Sequence, residues 1–364
     1  MKYTKEELKI IWLDSFIGLE YKHKREIYSL VAGDADVKAR LEANKDNVIA
    51  LIGENAFNTV KASMNETYMR FLTDGLERKG VSVVTCVSDD YPDSLKTIAL
   101  PPFALYCKGD LKLLSSDNFA MVGSRKSLPV SVSLAKRFSE TFCRHGLTMV
   151  TGIAEGVDSA VIDGALTAGG RVISVIAGGF DHVYPAANSG LLDKVAEKGL
   201  AVAEFPPEMK PDRFMFPIRN RIIAGLSKGV LIVSGRKKSG TLYTAEYAEE
   251  FGRDLFAVPY GVGVETGEGC NDLIKRGAML CDSERDVLDY YGIKKKETKI
   301  PLNADEKAVI AVLKDGERHI EKISEAVGRE TYEIQTVLAV LEIKGIVCKC
   351  GFNVYGLLGM DTEV

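Results

Sequence analysis

Between Lys210 and Lys238 the chain carries eight cationic side chains (Lys210, Arg213, Arg219, Arg221, Lys228, Arg236, Lys237 and Lys238) against one acid, Asp212. Phe214 and Phe216 stand among them, just ahead of Arg219, Asn220 and Arg221. Flat rings interleaved with cations suit a nucleic-acid single strand: bases stack on the rings, each stack contributing ~1–3 kcal/mol, while the cations neutralise phosphates. Either ring can instead fill a core, and only an exposed one can take a base.

Glycine-bearing loops accompany this run. Gly123-Ser124-Arg125 ends an apolar stretch and leads into a helix, so free backbone N–H groups and a guanidinium aim at one place, a phosphate site in outline. Gly152 and the pair Gly178-Gly179 leave room either for a ligand to approach the backbone closely or for tight turns. Arg236-Lys237-Lys238 lead into Ser239-Gly240-Thr241, a small-residue helix start that can accept an anion. Ser234 and Thr241 read as caps rather than nucleophiles.

Signatures of catalysis are weak. Gly225-Leu226-Ser227-Lys228-Gly229 has the spacing of a nucleophile elbow but follows a helix and precedes a strand, the reverse of what an elbow needs. There is no lysine-containing phosphate loop. His23, His145, His182 and His319 are scattered, and Glu155, Asp158, Asp181 and Glu204 offer acid–base groups at a sheet rim without a spacing that singles out a pair. Seven cysteines without zinc-ligand spacing read as reduced thiols. The expectation is a protein with no catalytic residue, no metal and no cofactor.

The elements that must position these loops are legible in the apolar pattern. Strand-like runs at 119–122, 147–151, 172–177, 200–204, 230–233 and 255–258 alternate with helical segments. That alternation predicts an α/β, Rossmann-like, doubly wound parallel sheet, in which ligands bind at the carboxyl ends of the strands. Residues 1–75 read as a small helical domain, 76–293 as the Rossmann-like domain with an extended lead-in, 294–300 as a charged linker, and 301–364 as three helices and a hairpin, the winged-helix pattern. This last segment has seven Lys/Arg against eleven Asp/Glu, which would repel phosphates and favours protein contact or packing.

The whole chain of 364 residues is 46% apolar with a formal net charge of −4, so a nucleic-acid site has to be a local basic patch and not a property of the global charge. The charged N-terminus has no signal-peptide pattern and no apolar run is long enough for a bilayer, giving the expectation of a cytoplasmic protein without membrane contact.

In order along the chain, Val122-Gly123-Ser124-Arg125, the heptapeptide from Gly152 to Asp158, Tyr184-Pro185, the stretch from Phe216 to Ser227, the stretch from Ser239 to Ala245, and Phe256-Ala257-Val258-Pro259 closely resemble the signature of the DNA-processing protein A (DprA/Smf) family. The resemblance covers almost all of the middle domain, and the flanks fit a SAM-like helical domain and a winged helix more loosely. It implies a cytoplasmic protein that binds and protects single-stranded DNA, forms a homodimer through its Rossmann-like domain, and helps load RecA recombinase during natural transformation or recombination. Carried over, Ser124 and Arg125 would hold a phosphate, Arg219 and Asn220 would line the same pocket, Ser239-Gly240 would supply donors, and Lys210, Arg213, Arg236, Lys237 and Lys238 would extend a basic track. Two departures stand out: Ser234-Gly235 replaces the usual Glu-Ala, and Tyr260 interrupts the usual Pro-Gly. The rival reading is a Rossmann-like phosphoribohydrolase acting on nucleoside monophosphates, echoed by Ser239-Gly240-Thr241 with Glu246.

Overall fold

The computed structural model describes residues 2–294, 302–344 and 346–357. Within it the apolar runs become strands of one sheet: β1 (Ser82–Thr85), β2 (Ala104–Gly109), β3 (Asn118–Gly123), β4 (Thr148–Thr151), β5 (Val172–Ile176), β6 (Leu200–Ala203), β7 (Gly229–Ser234), β8 (Asp254–Ala257) and β9 (Met279–Leu280). Their spatial order is β1-β2-β6-β5-β4-β3-β7-β8-β9. From β6 to β9 all neighbours are parallel, whereas β2 joins β6 antiparallel and β1 joins β2 antiparallel. The extended lead-in is therefore part of the sheet.

The helices of this unit are α1 (Lys5–Asp14), α2 (Tyr21–Val31), α3 (Val37–Ala43), α4 (Lys45–Ile52), α5 (Glu54–Ser63), α6 (Glu66–Arg78), α7 (Asp93–Lys96), α8 (Pro129–Arg144), α9 (Val157–Thr167), α10 (Ser189–Lys198), α11 (Met215–Leu226), α12 (Leu242–Glu250), α13 (Glu268–Lys275) and α14 (Glu284–Tyr290). Successive strand residues face opposite layers: Phe119 and Met121 of β3 join the core formed with α8, α9 and α10, while Ala120 and Val122 join the core formed with α11, α12 and α13. With both faces covered, the central strands are apolar throughout, which is why they read as continuous runs and not as alternation.

The N-terminal helices do not form a separate body. The chain divides into two compact units, Met1–Lys296 and Glu297–Val364, and α1 to α6 belong to the first. The expected boundary at 75/76 falls inside α6. Its neighbours explain the merger: Tyr106 of β2 donates to Asp14 Oδ2 at 2.9 Å, Lys24 holds Asp14 Oδ1 at 3.0 Å, and Tyr21 donates to the Pro101 carbonyl. Trp12, Leu13 and Ile27 share one continuous core with Phe103 and Tyr106.

The second unit has the order α15 (Ala304–Leu313), β10 (Arg318–His319), α16 (Ile320–Val327), α17 (Thr331–Ile343), β11 (Val347–Gly351) and β12 (Val354–Leu357). This is the winged-helix arrangement, with β10 added to the expected hairpin as a third strand in the order β10-β12-β11. Most of the expected linker, residues 295–300, lies outside the described residues. Among the described residues no helix is long and apolar enough to cross a membrane.

One topological fact positions the site. From β3 the chain winds through β4 and β5 to β6, then returns through α11 to β7 on the other flank of β3. The loops after β3 and β7 diverge at this reversal and leave a crevice at the carboxyl ends of the strands.

Candidate nucleic-acid interface

The crevice is a cleft of about 800 Å³, lined by the loop after β3, the loop after β7, the first turns of α11, Asp158 of α9 and Tyr184 from the segment after β5. Of the side chains singled out in the sequence, it gathers Gly123, Ser124, Arg125, Arg213, Phe216, Arg219, Asn220, Arg236, Ser239, Gly240 and Thr241. Lys210, Phe214, Lys237 and Lys238 are exposed but outside its lining. Gly152, Gly178, Gly179 and Arg221 are buried elsewhere.

The loop after β3 works differently from the expectation. α8 begins only at Pro129, and the Ser124 N–H is occupied, donating to both the carbonyl and Oγ of Ser234 at 3.1 Å. Ser127 Oγ closes the knot against Ser234 Oγ at 2.6 Å. The departure at 234 is thus a serine that ties the β3 and β7 loops together, and this N–H is not free for a phosphate. What enters the cleft is the Arg125 side chain. Its guanidinium carbon lies 5.1 Å from the Phe216 ring centre and 5.6 Å from that of Tyr184, whose rings meet edge to face at 5.6 Å. Arg125 is exposed, and ring faces hold it in place without neutralising its charge. Tyr184 follows the Gly178-Gly179 loop; its signal in the sequence was a lone aromatic ahead of Pro185, joined to it here by a cis peptide.

Beneath Arg125 lie two buried opposite charges that interact through space without a direct salt bridge. Arg219 and Asp158 are 7% and 6% exposed. Arg219 donates to the Val175 carbonyl and, through Nε, to Asn220 Oδ1 at 3.1 Å; Asp158 Oδ2 accepts from the Ala154 N–H at 3.2 Å. Burial pushes Arg219 down to about 10, with Asp158 opposing the shift and nearby Arg125 adding to it. Burial also raises the Asp158 carboxyl, opposed chiefly by Arg219. Gly152 serves this pair: a Cβ there would sit 2.3 Å from Asp158 Oδ2 and 3.0 Å from the Arg219 nitrogens, so its small size makes room for the chain's own charges and not for a ligand.

Gly178 and Gly179 receive the same correction. A Cβ on Gly179 would lie 2.0 Å from the Pro206 carbonyl oxygen, and one on Gly178 would lie 2.9 Å from the Pro211 nitrogen. The backbone that approaches them is residues 206–211 of this chain. Gly179→Ala is expected to cost ~1–3 kcal/mol by overpacking, read as a lower midpoint in calorimetry, with nucleic-acid affinity of the folded protein unchanged; a selective loss of affinity would restore the ligand reading.

Arg221 is also removed from the track. Two positions along a helix turn the side chain by ~200°, so where Arg219 faces the cleft Arg221 faces away. It binds Glu204 through two contacts of 2.8 and 2.5 Å and donates to the Leu100 carbonyl at 2.9 Å.

The loop after β7 supplies the outer wall. Arg236 pairs with Glu265 at 3.0 Å in a solvated contact, which takes little from its availability. Ser239 Oγ is shielded from solvent and makes no hydrogen bond, and Asn220 Nδ2 donates to the Gly240 carbonyl at 3.2 Å, joining α11 to this loop. α12 starts behind it with no acid in its first turn, so its positive end is unopposed. At the rim Phe214 is 64% exposed with the Arg213 guanidinium 4.6 Å over its ring. Phe216 is half-buried, so one ring is free to stack and the other is committed to the Arg125 cage. Asp158 is the one acid in the lining, its Oδ2 accepting from the Ala154 N–H; Glu246 is not part of it.

Two family models match the chain: one described as DNA recombination-mediator protein A over residues 82–292, and one described as the DprA winged helix domain over residues 294–351. The DNA processing protein DprA of Bacillus subtilis is 40% identical over 212 residues, which are 58% of this chain and 71% of that one. The crystal structure of DNA processing protein A from Streptococcus pneumoniae superposes with a TM-score of 0.61 at 30% identity, covering 79% of this chain and 98% of that one. A Helicobacter pylori DNA processing protein A, described for its single-stranded DNA binding mode, gives a TM-score of 0.53 at 27% identity over 58% of this chain and 95% of that one. With its parallel sheet, its switch-point cleft and its separate winged helix in the matched segments, this chain belongs to the DNA recombination-mediator protein A family.

Proposed function

We propose that the chain binds single-stranded DNA in the switch-point cleft and acts as a recombination mediator that shields the strand and helps load RecA recombinase, without catalysing a reaction. The observation that carries this reading is Arg125, an exposed guanidinium without a carboxylate partner in its ring cage, with Phe216, Tyr184 and the charge of Arg219 around it. A strand laid across the cleft would meet cations at phosphate level in Arg125, Arg213 and Arg236, and a free ring face in Phe214. Lys237 and Lys238 would hold the strand beyond the cleft. None of these contacts reads a base edge, so affinity should depend on charge and stacking and little on sequence. The family name and the binding mode described for the Helicobacter pylori protein support the same reading. Action in the cytoplasm, in natural transformation or general recombination, and as a homodimer, belongs to the proposal.

The test is fluorescence anisotropy with a labelled single-stranded oligonucleotide over a salt series, on material whose mass is read in parallel by light scattering. Log affinity is expected to fall with log salt by ~0.7 per phosphate neutralised, duplex to bind more weakly, and a Lys237/Lys238 double alanine to flatten the slope. Salt-insensitive or absent binding would overturn the DNA reading, and a strictly monomeric mass at micromolar concentration would overturn the dimer.

A further inference from the structure

The C-terminal unit carries a surface that the cleft does not use. α17 buries Ile334, Leu338 and Leu341 completely against α15, α16 and the wing. At ~100° per residue, Tyr332, Thr336, Ala339, Val340 and Ile343 form a second row on the opposite side. Tyr332 is 70% exposed and Ile343 87% exposed, and Thr336, Ala339 and Val340 are exposed between them. A helix packed on one side ordinarily shows water a polar face, and an apolar stripe there marks a contact surface. The wing tip adds Phe352, exposed between β11 and β12.

The charges around the stripe select what can cover it. Glu333 borders it on one side and Glu342 on the other, and Glu330 precedes the helix. α17 itself contains no Lys or Arg. The cations at its two ends are engaged: Arg329 pairs with Asp305 at 3.1 Å and Lys344 with Glu306 at 2.6 Å. As the third helix of a winged helix, α17 is the element that would enter a DNA groove, yet its acids would face phosphates. A second copy of the same face would set glutamate against glutamate, because a two-fold contact pairs a surface with itself.

We propose that the exposed face of α17 docks a basic amphipathic helix of a partner protein, whose apolar ridge lies along Tyr332, Val340 and Ile343 and whose flanking Lys or Arg residues meet Glu333 and Glu342. The partner is fixed by chemistry: leucine-like anchors at helical spacing with cations on both borders. The winged helix is then a protein-docking module.

The probe is a labelled synthetic helical peptide with leucines on one face and lysines flanking them, titrated with the full chain, beside a twin with glutamates in place of the lysines. The lysine peptide is expected to bind at least about tenfold more tightly than its twin, each tenfold being ~1.4 kcal/mol. Ile343→Ser and Tyr332→Ala, both at exposed positions, should each weaken it about tenfold without changing the thermal midpoint or single-stranded DNA affinity. Glu333→Lys with Glu342→Lys should exchange the preference between the two peptides. Equal binding of the twins, or indifference to the stripe variants, would overturn the proposal. So would self-association abolished by Ile343→Ser, which would assign the face to a second copy, or duplex binding weakened by it, which would assign it to DNA.

Discussion

Arg125→Ala is expected to reduce affinity for a single-stranded oligonucleotide by ~10- to 100-fold at moderate salt, the range of a charge-assisted hydrogen bond, and to flatten the salt dependence by about one phosphate's worth. The size follows from its surroundings. Of the other cleft cations, Arg219 is buried opposite Asp158 and Arg236 touches Glu265 in a solvated contact, whereas the exposed Arg125 charge lies between two ring faces. Phe216 and Tyr184 fix its direction, so little side-chain freedom is lost when a phosphate arrives. Arg125→Lys should recover only part of the affinity, since an ammonium keeps the charge but loses the planar fork and the stacking. An Arg125→Ala protein that binds like wild type would remove the cleft from the binding path and leave the outer lysines to carry it.

Asp158→Ala is expected to destabilise the first unit by ~1–3 kcal/mol, a fall of roughly 2–8 °C in thermal midpoint for a unit of this size, because the Ala154 N–H would lose the carboxylate oxygen that accepts from it. Both partners are shifted by burial toward their neutral forms, so at neutral pH desolvation outweighs their mutual attraction. The Asp158 carboxyl has a folded-state pKa above its unfolded value. Its contribution is therefore stability present at pH below the ordinary carboxylate range and lost as pH rises through the raised folded value. Replacing both partners, Asp158→Leu with Arg219→Met, should return much of the midpoint, since a well-packed apolar pair is often neutral or better. The double variant should still bind DNA poorly, because the cleft floor would have lost its cation. Recovered stability with wild-type binding would show that Arg219 only shapes the cleft; an unchanged midpoint in Asp158→Ala would show that the Asp158 acceptor carries no stability.

Much of this arrangement is legible in the residues because its signals are local. A parallel strand covered on both faces is an apolar run wherever it occurs, and a loop after such a run lies at the carboxyl edge of the sheet; β3 to β8 and the loops at 123–125 and 235–241 follow from that alone. What escaped depends on contacts between distant residues. Arg219 and Arg221 are indistinguishable as members of one cationic run, and only the phase of α11 and the placement of Glu204 send one to the cleft and the other to a buried pair. Gly178 and Gly179 advertise close approach without naming the backbone that approaches, which is residues 206–211. Tyr184 gains its meaning from Arg125 and Phe216, which the fold brings to it from two other loops. Ser234 looked like a loss at a family position and is a tie to Ser124 and Ser127.

The shared core of the N-terminal helices bears on how the protein can be dissected. Tyr106 of the sheet completes its hydrogen bonding on Asp14, and Asp14 is held by Lys24. A fragment beginning at residue 76 would cut α6, uncover the aromatic underside of β2 and remove the carboxylate that accepts from the Tyr106 phenol. Loss of DNA binding in such a fragment would report a damaged sheet and not a DNA contact made by the missing helices. Point changes on the outward surface of those helices, made in the intact chain, are the cleaner instrument for asking what they do.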